Sequence, residues 1–160
     1  MWVPNWADTS DRNSAGHIVT FTRRIHLAST PHRALCYFSA DTRYKLYVNG
    51  ARVAVGPTRG SPALWYYDTL DFASELKQGH NEVVFVVLRY FASTRAAMPF
   101  ERTMLPGLTV VGTIESDDGA VSLDTTQGWE AQVDDSIDFP IGLIDDGFLH
   151  VSTTFVSGLP

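Results

Sequence analysis

The dipeptide Asn49-Gly50, set between two runs of strand-forming residues, constrains the fold of this chain more than any other local feature. Residues 44–48 precede it and residues 51–55 follow it. A two-residue hairpin turn of type I′ needs positive φ at both central residues, and Asn followed by Gly is a pair that tolerates this well. The sequence therefore predicts an antiparallel hairpin with Asn49 and Gly50 at its tip.

Short strand-like runs separated by turn residues occupy much of the remaining chain. Residues 18–27 alternate apolar and polar side chains, apart from Arg23, as a half-buried strand does. Residues 83–88 form an unbroken apolar run, which predicts a central strand covered on both faces. Further strands are predicted at 33–40, 109–114, 120–123, 129–133 and 148–156, and one short helical turn at 71–76.

These runs predict an all-β fold. Many short strands with frequent turn signals are typical of an antiparallel β-sandwich of the jelly-roll kind. Alternation of strands and helices, the pattern of a doubly wound sheet, is missing. At 160 residues the chain has the size of one domain, so residues 1–160 are interpreted as a single module.

Charge and cysteine content narrow the partners and the compartment. The net charge is −6, and residues 81–160 carry three Lys or Arg against twelve Asp or Glu. Nucleic acid and anionic membranes are therefore poor partners, because binding them needs clustered positive charge. One cysteine, Cys36, excludes an intrachain disulfide, and no signal-peptide or membrane-spanning pattern is visible. A cytoplasmic location is favoured.

No arrangement of residues predicts catalysis, a metal site or a cofactor. The Gly-x-Ser-x-Gly motif of Ser-His-Asp hydrolases does not occur, and residues 56–60 lack the Gly-Lys-Ser/Thr ending of a nucleotide-binding loop. Zinc ligands need close spacing, whereas the histidines are scattered: His17, His26, His32, His80 and His150. The glutamates, none in a recognisable catalytic setting, are Glu75, Glu82, Glu101, Glu115 and Glu130. The chain by itself is therefore predicted to have no catalytic residues.

Sugar binding has a milder requirement, namely an aromatic ring beside planar polar groups. Residues 59–68 and 95–102 supply both. The predicted carbohydrate contacts are Arg59, Trp65, Tyr67, Arg95 and Arg102. The alternative interpretation is that the aromatic residues belong to the core and the arginines cover its rim.

A longer pattern of motifs resembles the N-terminal domain of α-L-rhamnosidases. It comprises a Tyr-x-Leu-Tyr-Val-Asn-Gly hairpin at 44–50, a Gly-Pro turn at 56–57, the pair Tyr67-Asp68 and a Leu-x-x-Gly-x-Asn turn at 76–81. The Asn-Gly hairpin alone is less specific, because the sugar-binding domains of β-galactosidases and other galactose-binding-like sandwiches carry a similar element. The resemblance therefore implies a galactose-binding-like β-sandwich. The resemblance covers residues 18–135. Where some bacterial members have a Gly-Trp-rich turn, this chain has residues 89–92, Arg-Tyr-Phe-Ala.

The resemblance implies a multidomain glycoside hydrolase whose two catalytic carboxylates lie in a separate α/α barrel. Those residues have no counterpart positions in this chain. The first hypothesis is an accessory domain that supports the catalytic barrel and recognises carbohydrate, with rhamnose-containing glycans as ligands. Two alternatives are a free-standing carbohydrate-binding module and a structural spacer.

Overall fold

The computed structural model describes residues 16–58, 60–61, 63–89 and 107–138, together with the backbone of 154–155. A single turn of 3-10 helix lies at Ala73–Glu75. Within the described ranges, no helix is long and apolar enough to cross a membrane. In chain order the strands are β1 (His17–Leu27), β2 (Arg33–Asp41), β3 (Arg43–Val48), β4 (Ala51–Gly56), β5 (Asp68–Asp71), β6 (Gly79–Arg89), β7 (Gly107–Ser116), β8 (Gly119–Ser122), β9 (Glu130–Val133), β10 (Ile137–Asp138) and β11 (Thr154–Phe155).

Two antiparallel sheets form the body of the fold. One has five strands in the order β4-β3-β6-β1-β9, and the other has four strands in the order β5-β2-β7-β8. Strands β10 and β11 pair separately. Consecutive strands β2 and β3 belong to different sheets, so the chain crosses between the layers at residues 41–43. The antiparallel β-sandwich predicted from the sequence is confirmed.

The core lies between the two sheets and follows directly from the alternation in each strand. Every second residue of β1, β2, β3, β6 and β7 turns inward, as the two-residue period of a strand requires. At the centre, the Phe85 ring packs edge-on against Phe38 and Tyr44 and lies 5.9 Å from the ring of Trp129. The largest completely buried apolar side chains are Phe38, Phe85, Leu46, Leu108, Ile114, Leu123, Val19, Val48, Val83, Val87 and Val110.

The central apolar run lies where it was predicted, between two partners. Strand β6 pairs with β1 on one side and β3 on the other. Its inward residues Val83 and Val87 are fully buried, whereas the outward residues Val84 and Val86 are half-buried. The run is therefore unbroken because one face fills the core and the other is partly covered, rather than because both faces are sealed.

Several predicted boundaries differ from the structure, among them those of β6 (predicted at 83–88) and β7 (predicted at 109–114), which are both longer than predicted. The helical turn expected at 71–76 is limited to Ala73–Glu75, because residues up to Asp71 pair with β2 as strand β5. That four-residue strand was not predicted, since two of its four residues are Asp, which is depleted in strands, and its pairing partner is distant in sequence. Most of the strand predicted at 148–156 lies outside the described residues.

The predicted hairpin is confirmed at its tip. Asn49 has φ of 50° and Gly50 has φ of 84°, the left-handed values of a type I′ turn. Val48 faces Ala51 directly across the two-residue loop. The local preference of Asn49-Gly50 for a type I′ turn is therefore retained in the fold.

Replacing Gly50 with Val should lower the free energy of unfolding by about 1 kcal/mol or more, because a β-branched residue is strained at positive φ. A Cβ at this position would meet no atom within 4 Å, so the loss would come from the backbone alone. Gly50→Asn is the matched control and should lose less, since Asn tolerates this conformation. Equal urea midpoints for wild type and Gly50→Val would contradict the assignment.

Candidate functional site

The structure describes two of the five residues predicted to contact carbohydrate. Trp65 is half-buried, and Tyr67 is 65% exposed, both in the segment that leads into β5. Arg59, Arg95 and Arg102 lie outside the described residues. The groove that would combine all five therefore stays a prediction, and Tyr67 becomes the starting point for a site.

The segment before β5 is anchored to its surroundings by backbone contacts. Ser61 and Leu64 exchange two backbone hydrogen bonds, with N–O distances of 2.9 and 3.0 Å, which closes a tight turn. A few residues later, Ser39 Oγ on β2 donates a hydrogen bond of 2.6 Å to the carbonyl oxygen of Tyr66. These contacts hold the approach to Tyr67 against the end of β2.

Tyr67 belongs to an exposed patch on the outer face of the four-stranded sheet, which we call the tyrosine face: Tyr37, Tyr67 and Val111. Tyr37 on β2 faces Val111 on β7 across the ladder. The ring centroids of Tyr37 and Tyr67 are 6.0 Å apart, with an angle of 63° between the ring planes. Tyr37 is 44% exposed and Val111 is 54% exposed. Adjoining exposed apolar side chains indicate a binding surface, whereas isolated exposed apolar side chains are common.

Sequence reasoning found Tyr67 but missed Tyr37 and Val111. The signal for Tyr37 was present, because it lies between Cys36 and Phe38, and strand alternation places it on the opposite face from those two buried residues. Val111 gave a weaker signal, since it follows the buried Val110 in an apolar run. Only the pairing of β2 with both β5 and β7 brings the three together.

The tyrosine face is bordered by hydroxyl side chains and, on its β5 side, by the exposed carboxylate of Asp71, which faces Leu35. Across the ladder from Tyr37 on the β5 side lies Thr69, and Ser39 faces Thr109 on the β7 side. The ion pair of Arg33 with Glu115, at 3.0 Å, lies four residues before Tyr37 on β2. The described part of this surface therefore presents aromatic rings bordered by hydroxyl groups and one carboxylate.

The motifs that carry the resemblance to α-L-rhamnosidases are joined to one another by hydrogen bonds. Asn49 Nδ2 donates to the carbonyl oxygen of Glu75 at 2.8 Å and to Asn81 Oδ1 at 2.9 Å. Asn49 Oδ1 accepts from the amide N–H of Glu82 at 3.0 Å, and Asn81 Oδ1 accepts from that of Lys77 at 2.9 Å. The Asn-Gly hairpin and the Leu-x-x-Gly-x-Asn turn are thus held together by their two asparagines.

A second contact joins the hairpin to the Tyr-Asp pair. The Tyr44 hydroxyl donates a short hydrogen bond to Asp68 Oδ2. Burial raises the pKa of the Tyr44 phenol, and the hydrogen bond to Asp68 raises it further, so the hydroxyl stays protonated. A Cβ on Gly56 would lie 2.3 Å from Asp68 Oδ2 and 2.7 Å from the Tyr44 hydroxyl. The glycine of the Gly-Pro turn is therefore required by the packing of Tyr44 on Asp68.

One buried ion pair lies where the chain crosses between the sheets. Arg89 Nη1 donates to Asp41 Oδ2 at 3.0 Å, and the side chains are 2% and 4% exposed. Thr42, the next residue, donates its backbone N–H to the carbonyl oxygen of Leu88 at 3.1 Å. This pair is buried inside the fold, so it positions the crossover and is not open to a ligand.

The single cysteine offers no nucleophile. Cys36 is buried on β2, and burial raises the pKa of its thiol to about 12, with Asp71 and Asp124 adding to the shift. A thiol with that pKa is protonated at neutral pH and does not act as a nucleophile. Cys36 is therefore a core residue.

Most of the described glutamates are engaged in ion pairs. Glu82 and Glu130 share Arg24, at 3.1 and 2.8 Å, and Glu115 contacts Arg33. Glu101 lies outside the described residues. In the same described ranges, no three His, Cys, Asp or Glu side chains form a group that could hold a metal ion.

A shallow cavity of about 440 Å³ opens beside strands β1 and β9. Asp134 at its wall accepts hydrogen bonds from both the backbone N–H and the hydroxyl of Ser136. Its described lining is mostly polar and comprises Thr20, Gln132, Val133, Asp134, Asp135 and Ser136. This cavity lies on the other sheet from the tyrosine face.

Comparison with known proteins links the fold to carbohydrate-active proteins. No protein-family model matches the chain, and no curated protein matches it. Among solved structures, the GH78 family rhamnosidase of Bacillus sp. GL1 is 26% identical, over 78% of this chain and 13% of that chain, with a TM-score of 0.58. The α-L-rhamnosidase of Aspergillus terreus is 18% identical, over 84% of this chain and 16% of that chain, with a TM-score of 0.66.

A lectin has a similar fold. The lectin of Pleurotus ostreatus is 21% identical, over 92% of this chain and 39% of that chain, with a TM-score of 0.57. The resemblance to α-L-rhamnosidases indicated by the sequence motifs is confirmed by the structural matches. This chain spans only 13% and 16% of the length of the two rhamnosidases above, so it resembles one domain of a longer enzyme.

Proposed function

We propose that residues 1–160 form one accessory N-terminal module of an α-L-rhamnosidase-like glycoside hydrolase, a module that packs on the catalytic α/α barrel of the enzyme and contributes to carbohydrate recognition. One observation carries this proposal: the rhamnosidase match covers 78% of this chain but 13% of the enzyme. Because the match covers only 13% of the enzyme, the rest of that chain can hold the reacting groups, and we assign support or recognition to this module.

The chemistry of the described residues supports this division. Hydrolysis of a glycoside needs an acid and a base or nucleophile on either side of the scissile bond. Glu82 and Glu130 instead share the guanidinium of Arg24 on the outer face of the five-stranded sheet. Among the motif residues, Tyr44 and Asp68 bond to each other, and Asn49 bonds to Asn81.

The 160-residue chain is expected not to hydrolyse an aryl α-L-rhamnoside, and a longer product of the same gene that includes a helix-rich barrel is expected to do so. The physical reason is that both steps need carboxylates held in a shaped cleft. Release of the aryl group is followed by absorbance for both proteins. Turnover by the short chain that survives repurification, and that is lost on changing one glutamate, would contradict the accessory role.

The second candidate is a free-standing carbohydrate-binding module. The lectin match favours it, because that match covers 92% of this chain and 39% of the lectin. A reading frame that stops after residue 160, together with saturable sugar binding, would select this candidate over the first. The third hypothesis, a structural spacer, gives no reason for the exposed rings of Tyr37 and Tyr67.

A further inference from the structure

We infer that the tyrosine face is a contact surface for a neutral glycan, with a sugar ring stacked on Tyr67 and bordered by Tyr37 and Val111. The inference rests on carbohydrate recognition, which is one part of the proposed function. It goes beyond that function by assigning the contact to the outer face of the four-stranded sheet and by naming the charge class of the glycan.

Exposure is the first step of the argument. Tyr67 is 65% exposed, against 44% for Tyr37 and 42% for Tyr66. Tyr37 adjoins Tyr67 on one side and Val111 on the other. Strand alternation would equally accept polar side chains on this outer face, as it does at Thr69 and Thr109. An adjoining group of exposed apolar residues with a polar border is typical of a binding surface.

Ring geometry is the second step. The planes of Tyr37 and Tyr67 meet at 63°, so the two rings do not form one flat platform. A pyranose that lies on the Tyr67 ring would instead meet Tyr37 at its side. The edge-on contact between the two rings and the hydrogen bond from Ser39 Oγ to the Tyr66 carbonyl restrict the motion of Tyr67 before any ligand arrives. Restricting a contact group in advance reduces the entropy lost on binding.

Charge is the third step, and it selects the occupant. The residues across the ladder from Tyr37, namely Thr69 and Val111, are uncharged, as are Ser39 and Thr109 beside them. An acidic glycan would find no cation at these positions and would meet the exposed carboxylate of Asp71, two residues after Thr69 on the same face of β5. A neutral sugar matches them, because its apolar ring face fits an aromatic ring and its hydroxyls bond to Thr and Tyr hydroxyls.

The test is a titration of the 160-residue chain, followed by amide shifts, with three probes: methyl α-L-rhamnoside, a neutral galactan oligosaccharide and an acidic oligogalacturonate. We expect saturable shifts on β2, β5 and β7 with at least one neutral probe, at a dissociation constant of about 1 mM. Tyr67→Ala should weaken that binding about tenfold, and Tyr67→Phe should retain most of it, because the ring is kept. Val55→Ala is the matched control, since it removes an exposed apolar side chain from the other sheet and should change nothing.

The contrary outcomes separate this inference from the proposed function. Binding that survives Tyr67→Ala and Tyr37→Ala in folded protein, or shifts that cluster beside Gln132 and Asp134, would overturn the tyrosine face while carbohydrate recognition stands. Tighter binding of the acidic oligogalacturonate than of the neutral probes would contradict the assignment of a neutral glycan. Titrations without saturable shifts for any of the three probes would overturn the inference. The accessory role would still be tested separately, by the rhamnoside assay.

Discussion

Replacing Arg89 with Met should lower the free energy of unfolding by about 3–5 kcal/mol, the largest loss expected for any single change described here. Arg89 and Asp41 are 2% and 4% exposed and their charged atoms are 3.0 Å apart. Removing the guanidinium takes away the cation that Asp41 contacts at 3.0 Å, and breaking a buried ion pair by removing one partner is far more costly than losing a surface contact. Urea unfolding with an unchanged slope would measure the loss.

The exposed ion pairs of Arg24 provide a matched control. Arg24 contacts Glu82 and Glu130, but its side chain is 63% exposed, so water replaces the lost contacts and Arg24→Met should change stability little. Adding Asp41→Asn to Arg89→Met should recover part of the loss, because it removes the buried carboxylate whose contact with the guanidinium was lost. If Arg89→Met and Arg24→Met had equal effects, the buried pair could not be what holds the crossover.

Replacing Gly112 with Ala should lower the free energy of unfolding by about 3 kcal/mol, at the upper end of the range for overpacking. Gly112 on β7 faces Cys36 on β2, and both point toward the core. A Cβ on Gly112 would lie 2.4 Å from Cys36 Sγ, 2.7 Å from the carbonyl oxygen of Leu35 and 2.8 Å from Cys36 Cα. Two of these atoms are backbone, so relief requires the paired strands to move apart.

The double change Cys36→Ala with Gly112→Ala tests which contact dominates. It removes the sulfur atom but keeps both backbone contacts, so most of the loss should remain. Thermal and urea midpoints of the two single variants and the double variant give the coupling between the sites. Full recovery in the double variant would show that the sulfur alone excludes a side chain at residue 112.

The fold class and the central hairpin could be predicted because their signals are local. Asn49 and Gly50 carry a backbone preference that acts within two residues, and it survives in the fold. The alternation in residues 18–27 likewise predicted β1 to within one residue. Strand β5 could not be found this way, since residues 68–71 carry weak strand preferences and become a strand by pairing with β2.

The residues of the candidate site likewise differ in whether the local sequence could predict them. Tyr67 was predicted from its aromatic neighbourhood, and the chain's own pattern marks Tyr37 as an outward residue between two buried ones. Arg59, Arg95 and Arg102 stay predictions, since they lie outside the described residues. Nothing in the local sequence indicated that Arg89 would be buried, because that follows from where β6 ends relative to Asp41.

By itself, the sequence determined the turn at Asn49-Gly50, the inward and outward alternation of the long strands and the all-β class. These depend on dihedral preferences and on a two-residue period, which act over a few neighbouring positions. The tertiary structure alone decided that Tyr37 meets both Tyr67 and Val111, and that Gly56 lies against the Tyr44 and Asp68 side chains. Those contacts join distant strands, and their register is set by the burial of whole sheet faces in a shared core rather than by any preference of the residues that meet.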